Sequence, residues 1–168
     1  MSASAAGPGT YTRGVHIHTL TRRQHLPASP EEVFPFFADA ANLEAITPPF
    51  LGFEVITPRP IPMRVGTIIQ YRLRLHGIPV SWLTSIQEWQ PAERFVDVQV
   101  RGPYSLWHHT HTFEDDGRGG TIMGDRVRYA LPLGAGGELA RRLFVARDLE
   151  RIFDFRAAQV ARRFGAEA

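Results

Sequence analysis

The chain has 168 residues, of which 43% are hydrophobic and 11% aromatic, and this composition predicts one globular domain with a sizeable core. It contains no cysteine, which excludes disulfides, a thiol nucleophile and thiolate-bound zinc. All 19 basic residues are arginine, which excludes a Schiff-base lysine, and a formal net charge of +2 disfavours a nucleic-acid surface.

The N-terminus lacks the pattern of an export signal. Residues 1–9 are rich in Ser, Ala, Gly and Pro, and no basic region precedes an apolar stretch there. No apolar run elsewhere in the sequence is long enough to cross a bilayer. We therefore predict a disordered tail over residues 1–13, a single domain over 14–165 and a cytoplasmic protein, with neither a nucleic-acid partner nor an integral membrane segment.

Two short helices are predicted in the first third of the chain. Ser29, Pro30 and Glu32 have the residue types and the spacing of a capped helix start. The first helix is therefore predicted over residues 30–38, and a second short helix over 40–46.

Runs of β-branched, aromatic and other apolar residues, bounded by Gly and Pro, predict seven strands. These cover residues 15–26, 52–57, 67–76, 80–89, 94–101, 107–113 and 121–131. The turns between the later strands are short, and short turns predict antiparallel pairing.

The C-terminal segment predicts the longest helix, over residues 138–164. Apolar residues recur along it at helical spacing, and most of its charged residues fall on the remaining surface. Such an amphipathic helix lays its apolar stripe on a sheet. The order of elements therefore predicts an α+β domain, in which helices gather on one side of an antiparallel sheet.

Local motifs add to this order of elements. They are LPASPEEVF at 26–34, ITPP at 46–49, FVD at 95–97, GPY at 102–104, WHH at 107–109, GT at 120–121, DRV at 125–127 and YALP at 129–132, with Trp82 and Trp89 in the fourth strand. Over about residues 15–164 the chain resembles the START and birch-pollen-allergen superfamily, also called SRPBCC, which includes polyketide cyclases.

The resemblance implies a helix-grip fold, in which a seven-stranded curved antiparallel sheet and two short helices wrap around a long C-terminal helix. It also implies an apolar cavity between the sheet and that helix. Members of the superfamily bind lipids, sterols, hormones and polyketides, and some are cyclases, aromatases or dehydratases.

The strand at 107–113 predicts a mixed inner surface. Strand side chains alternate between faces, so Trp107, His109, His111 and Phe113 share one side. This face is aromatic at both ends and polar in the middle, which is unusual for a solid core and suits a pocket wall.

A histidine–carboxylate pair is predicted on this face. If the hairpin pairs symmetrically about Gly117, His109 faces Asp125, and the preceding turn places Asp97 opposite His109 from the other side. A carboxylate beside an imidazole fixes its tautomer and raises its basicity, as a general base requires. His109, Asp125 and Asp97 are therefore candidate catalytic residues for removing a proton next to a carbonyl. The alternative is a buried and satisfied polar network that only shapes the cavity.

His109-Thr110-His111 also has the spacing of two metal ligands on one strand, and Asp125 would supply a third. Two-residue spacing is common among strand histidines, and the resembled superfamily does not generally require a metal. We therefore predict neither a metal nor another cofactor.

The main prediction is a cavity that binds a hydrophobic small molecule, such as a lipid, an aromatic compound or a polyketide. Two alternatives remain: an enzyme of the polyketide cyclase, aromatase or dehydratase type using the same cavity, and a protein-interaction module without a ligand. The predicted ligand-binding residues are Tyr71, Trp82, Trp107, His109, His111, Phe113, Val127, Tyr129, Leu149 and Phe153. Apolar residues of a Pro-rich loop form the predicted portal, namely Ile61, Met63 and Val65.

Overall fold

The structure, a computed structural model, describes residues 16–132 and 135–166, so the predicted tail over residues 1–13 lies outside the described residues. The strands are β1 His18–Leu26, β2 Glu54–Val55, β3 Ile68–Leu75, β4 Ile78–Gln90, β5 Arg94–Arg101, β6 Leu106–Asp115 and β7 Thr121–Ala130. They form one antiparallel sheet in the order β1-β7-β6-β5-β4-β3-β2.

The helices gather on one side of this sheet. They are α1 Pro30–Ala38, α2 Ala135–Ala140 and α3 Ala146–Phe164, with short 3-10 turns at Ala40–Leu43 and Pro49–Leu51. The predicted α+β helix-grip fold, with seven strands and a long C-terminal helix, is confirmed. The C-terminal helix is not α-helical throughout, because a π-helical turn at Arg141–Val145 lies between α2 and α3.

Helix α1 begins where the capping residues predict. Pro30 is its first residue, and the backbone N–H of Ser29 donates to Glu32 Oε2 at 2.9 Å. Pro35 lies within the helix, where it lacks the N–H that would bond the carbonyl of Glu31, and the helix ends three residues later. The buried side chains of Val33, Phe34 and Phe37 attach this helix to the sheet.

Two predicted elements are shorter than expected. The helix predicted over 40–46 is a single 3-10 turn, Ala40–Leu43, whose start is capped by Asp39 Oδ1 accepting from the Ala41 N–H at 2.9 Å. The strand predicted over 52–57 is reduced to β2, Glu54–Val55. Conversely, β4 starts at Ile78, because His76 and Gly77 form the tight turn with φ values of 50° and 82°.

The register of the hairpin between β6 and β7 differs from the prediction by two residues. His109 lies opposite Val127, and His111 lies opposite Asp125. The reason is the turn: Asp116 Oδ1 accepts from the backbone N–H groups of Arg118 and Gly120, which centres the loop one residue further on. A shift of two residues keeps every side chain on its predicted face, because the strand period is two. The predicted pairing of Asp97 with His109 is confirmed.

The core has two main parts on the inner face of the sheet. In one, the ring of Phe34 contacts Trp89, Phe95 and Phe113 at centroid distances of 5.1 to 6.1 Å. In the other, buried residues of β1, β7 and α3 pack together; these are Leu20, Val127, Tyr129, Leu149 and Phe153. The space between the two parts is not filled and forms the candidate site.

Candidate functional site

A cavity of about 160 Å³ lies between the sheet and α3. This volume exceeds the roughly 30 Å³ that one water occupies in the liquid, and a dry cavity of about 150 Å³ is large enough to bind benzene. Side chains from β3, β4, β5, β6 and α3 line the cavity, together with residues of α1 and the two 3-10 turns. The interior between the sheet and α3 is therefore not fully packed.

Many of the residues that the sequence predicts for the ligand site do lie on the cavity wall. They are Tyr71, Trp82, Trp107, His109, His111, Leu149 and Phe153. Asp97 also lies on the wall, whereas Asp125 is set behind it and contacts the two histidines.

Three predicted wall residues are corrected by the structure. Phe113 packs against Phe34 and Phe37 in the core, because α1 lies directly on that end of β6. Val127 and Tyr129 are buried beneath α3, which leaves no gap over that part of β7. These three side chains face inward as predicted, but they do not line the cavity.

The predicted portal loop is divided between the cavity and the solvent. Met63 lies on the cavity wall, and both Met63 and Ile61 pack against the buried cluster of Ala40, Ile69 and Tyr71. Val65 does not line the cavity and is 61% exposed.

Arg156 is a wall residue that the sequence analysis missed. It lies three positions after Phe153 in α3, on the helix face that carries the apolar stripe. A charged residue at that spacing was the available signal. The guanidinium lies 5.0 Å from the centre of the Phe153 ring, and Nη1 lies 4.0 Å from Asp125 Oδ1.

Two histidines and two aspartates form a buried cluster at one wall of the cavity. Strand β6 contributes His109 and His111, while β5 contributes Asp97 and β7 contributes Asp125. The imidazole rings of the two histidines are 3.8 Å apart between centroids. Phe95 stacks on His111 at 4.1 Å, which fixes the plane of that ring.

Each aspartate in this cluster approaches both histidines. Asp125 Oδ1 lies 2.8 Å from His109 Nε2 and 2.9 Å from His111 Nδ1. Asp97 Oδ2 lies 3.1 Å from His111 Nε2 and 3.6 Å from His109 Nδ1. Carboxylates and imidazoles therefore alternate around a closed ring of contacts.

The ring of contacts keeps both carboxylates ionised. Burial alone would raise the pKa of Asp125, but its hydrogen bond with His109 and the close approach of His111 together outweigh burial and hold this pKa well below its usual range. Burial also opposes ionisation of Asp97, yet the hydrogen bond from His111 and the charge of Arg156 help to lower the Asp97 pKa.

The two histidines are driven in opposite directions. Burial and the neighbouring His111 lower the pKa of His109, against the opposing effect of the carboxylates. Burial also disfavours the charged form of His111, but Asp125 and Asp97 outweigh it and raise the His111 pKa. The cluster therefore favours a neutral His109 beside a protonated His111.

The part of the cavity wall formed by β3 and β4 carries neutral polar groups. Burial, with the nearby charge of Asp97, raises the pKa of Tyr71, so its hydroxyl stays protonated. Trp82 Nε1 donates to Thr84 Oγ1 at 3.0 Å. These wall residues are therefore uncharged, and Trp82 Nε1 is already hydrogen-bonded to Thr84.

The sheet that surrounds α3 and the cavity between them define a helix-grip protein. The family profile described as polyketide cyclase / dehydrase and lipid transport matches residues 18–165, and the chain belongs to this family. The predicted relation to the SRPBCC superfamily is confirmed. No curated protein sequence matches the chain.

None of the described helices is long and apolar enough to span a membrane.

Solved structures share this fold at low sequence identity. The Zhui aromatase/cyclase from Streptomyces sp. R1128 is 15% identical, with a TM-score of 0.70, covering 89% of this chain and 94% of that one. The protein TTHA0849 from Thermus thermophilus is 21% identical, with a TM-score of 0.66, covering 87% and 99%. A START superfamily protein from Mycobacterium smegmatis is 13% identical, with a TM-score of 0.62, covering 86% and 98%.

Proposed function

We propose that the cavity binds a hydrophobic small molecule, such as a lipid, an aromatic compound or a polyketide. The single observation that supports this proposal is the cavity itself, about 160 Å³ in volume and lined mostly by apolar and aromatic side chains. An interaction module without a ligand does not require such a cavity.

The wall chemistry indicates how the ligand is oriented. Leu149 and Phe153 of α3 and Leu73 of β3 offer apolar contacts, whereas the cluster around His109 and Asp97 offers charged ones. A ligand with an apolar body and one polar group matches this division, because a buried charged wall requires a polar partner. The polar group of the ligand is proposed to point at the cluster.

Native mass spectrometry of the full chain tests this proposal. The protein, purified without organic solvent, is expected to carry a small molecule at one copy per chain, or to take one up from a lipid extract. Fluorescence of anilinonaphthalene sulfonate provides a second readout, because the dye brightens in apolar surroundings. A chain that binds neither the dye nor any extract component would contradict the proposal.

A second candidate is an enzyme of the cyclase, aromatase or dehydratase type. It is favoured by a specific observation: His109 lies on the cavity wall with Nε2 2.8 Å from Asp125 Oδ1, and its lowered pKa keeps it neutral and able to accept a proton. In a dehydration, His109 would take the proton from the carbon next to a carbonyl. The C–H electrons would form the new C=C bond, and the leaving hydroxyl would depart as water with a proton from His111.

Ultraviolet absorbance of the conjugated product measures this activity on β-hydroxy ketones. His109→Gln is expected to abolish turnover, whereas His108→Gln, on the outer face of the same strand, is expected to retain it. Equal turnover of the two variants would contradict the enzymatic candidate and leave ligand binding as the function.

A further inference from the structure

We propose that Asp97, His109 and His111 bind a divalent first-row transition metal ion at the wall of the cavity. The inference goes beyond the proposed ligand binding and does not depend on it. Among the described residues, these three bring one potential ligand atom each to within 4.8 Å of the others. Two imidazoles and one carboxylate form a donor set that suits zinc or ferrous iron.

The distances to Asp97 match those of adjacent ligands around one ion. Asp97 Oδ2 lies 3.1 Å from His111 Nε2 and 3.6 Å from His109 Nδ1. Ligand atoms bonded to zinc at about 2.0–2.1 Å in tetrahedral geometry are about 3.3 Å apart. The contact with His109 is too long for a good hydrogen bond, but it is close to the separation that a bridging ion requires.

Asp125 supports the same two histidines from behind. Its Oδ1 accepts a hydrogen bond at 2.8 Å from Nε2 of His109, the ring nitrogen not used for the metal. His111 Nδ1 lies 2.9 Å from the same oxygen, without the in-line geometry of a full hydrogen bond. Metal-binding histidines commonly place their second nitrogen against a carboxylate, which fixes the tautomer and strengthens the ligand. Asp125 is therefore a positioning residue.

The location leaves room for further ligands. Asp97, His109 and His111 all line the cavity, whereas Asp125 does not. Three protein ligands leave at least one coordination position open toward the cavity, as in catalytic zinc sites. An oxygen atom of a bound small molecule or a water can occupy that position.

The charge of the surroundings favours a cation. Two carboxylates face the site, that of Asp125 buried and that of Asp97 half-buried, and Arg156 is the only arginine among the described residues that line the cavity. Metal binding displaces the proton of His111, and with both imidazoles then neutral the group of Asp97, Asp125 and Arg156 has a net charge of −1. A divalent ion compensates this charge where solvent is largely excluded.

Metal binding by the stripped full-length chain tests the proposal. Zn²⁺ is titrated by calorimetry, and Co²⁺ is followed by its visible absorption, which strengthens when the ion leaves octahedral water for a low-symmetry site. One equivalent of each ion is expected to bind to the wild type. Asp97→Asn, which loses a ligand, is expected to weaken binding by at least about 100-fold, and Asp125→Asn by about 10–100-fold.

Two variants control for binding by other histidines. His108→Gln removes the imidazole next to the site on the opposite face of β6, and His76→Gln breaks an exposed pair in which His76 Nε2 lies 2.7 Å from Asp148 Oδ2. Both are expected to keep the wild-type affinity. Loss of the stoichiometric site in either control, with retention in Asp97→Asn, would overturn the proposal.

A measurement on the wild type covers the case in which a ligand variant fails to fold. Paramagnetic Co²⁺ is expected to shift the ring resonances of His109, His111 and the adjacent Phe153, whose ring lies 5.5 Å from that of His109. The resonances of exposed His76 are expected to stay in place. Failure of the wild type to bind either ion, or shifts confined to surface histidines, would overturn the metal site while leaving the hydrophobic cavity unaffected.

Discussion

His109 contacts Asp125 diagonally across two strands. The residue directly opposite His109 on β7 is Val127, yet His109 Nε2 lies 2.8 Å from Asp125 Oδ1. The residue directly opposite Asp125 is His111, at 2.9 Å. One carboxylate therefore approaches two imidazoles, and its removal leaves His109 without its hydrogen-bond partner and His111 with Asp97 alone.

Asp125→Asn is expected to lower the free energy of unfolding by about 2–4 kcal/mol, because it leaves buried polar groups that had a charged partner. Urea denaturation in the presence of a chelator measures this change without a contribution from metal. Asp154→Asn is the matched control, since Asp154 is exposed and pairs with Arg22 at 3.3 Å. It is expected to cost less than about 1 kcal/mol. Equal losses in the two variants would contradict the role of Asp125.

Phe34→Ala is expected to cost about 3–5 kcal/mol of unfolding free energy, because Phe34 is buried at the centre of the aromatic group formed with Trp89, Phe95 and Phe113. Thermal or urea unfolding gives the value. Phe50→Ala, at a position 53% exposed, makes the same change outside the core and is expected to cost about 1 kcal/mol or less. A small loss for Phe34→Ala would mean that α1 is not fixed to the sheet by this ring.

Leu75→Trp is expected to weaken binding of anilinonaphthalene sulfonate by about tenfold or more, because Leu75 lines the cavity and the larger ring occupies part of a space of about 160 Å³. Arg74→Trp adds the same ring on the outer face of β3 and is expected to leave binding unchanged. Fluorescence titration compares the two. If both variants bind the dye like the wild type, the dye site lies elsewhere than in the cavity.

Acid is expected to loosen the turn between β6 and β7. The pKa of Asp116 is lowered from 3.8 to about 2 by the hydrogen bond with His25 and by the backbone N–H groups of Gly120 and Arg118. Because the folded-state pKa is the lower one, the stabilisation is complete above the ordinary value and is lost as the pH falls through about 2. Carboxyl carbon shifts in NMR spectra measure this midpoint. A midpoint of Asp116 at the ordinary aspartate value would show that the turn contacts do not persist in solution.

Local sequence signals predicted the elements best where caps and turns define their ends. The predicted helix over 30–38 and strand over 94–101 match α1 and β5. The register of β6 and β7 could not be read from the sequence, because it depends on which backbone N–H groups of the turn donate hydrogen bonds to Asp116. The two-residue error leaves every side chain on its predicted face of the sheet. For that reason the sequence still placed the residues of the cluster on one face.

The alternation of side chains along a strand shows which residues face inward, but it could not show which of them line the cavity. Phe113, Val127 and Tyr129 face the same side as His109, but α1 and α3 lie directly on them. Whether a gap remains depends on where each helix crosses the sheet, and no periodicity of a single element encodes that position. Arg156 was visible as a charged residue on an apolar helix face, yet its role required the position of α3.

The cluster of two histidines and two aspartates is also expected to affect the folding kinetics of the sheet. Strand β6 is shared by two hairpins: Asp97 reaches its histidines once β5 has paired with it, and Asp125 once β7 has, so the closed ring of contacts needs both hairpins. We expect this ring to be completed late in folding, so that its loss accelerates unfolding more than it slows folding. In stopped-flow experiments, Asp125→Asn is therefore expected to raise the unfolding rate constant and to leave the refolding rate constant unchanged. We therefore expect these four side chains to control the lifetime of the paired sheet rather than the speed of its formation.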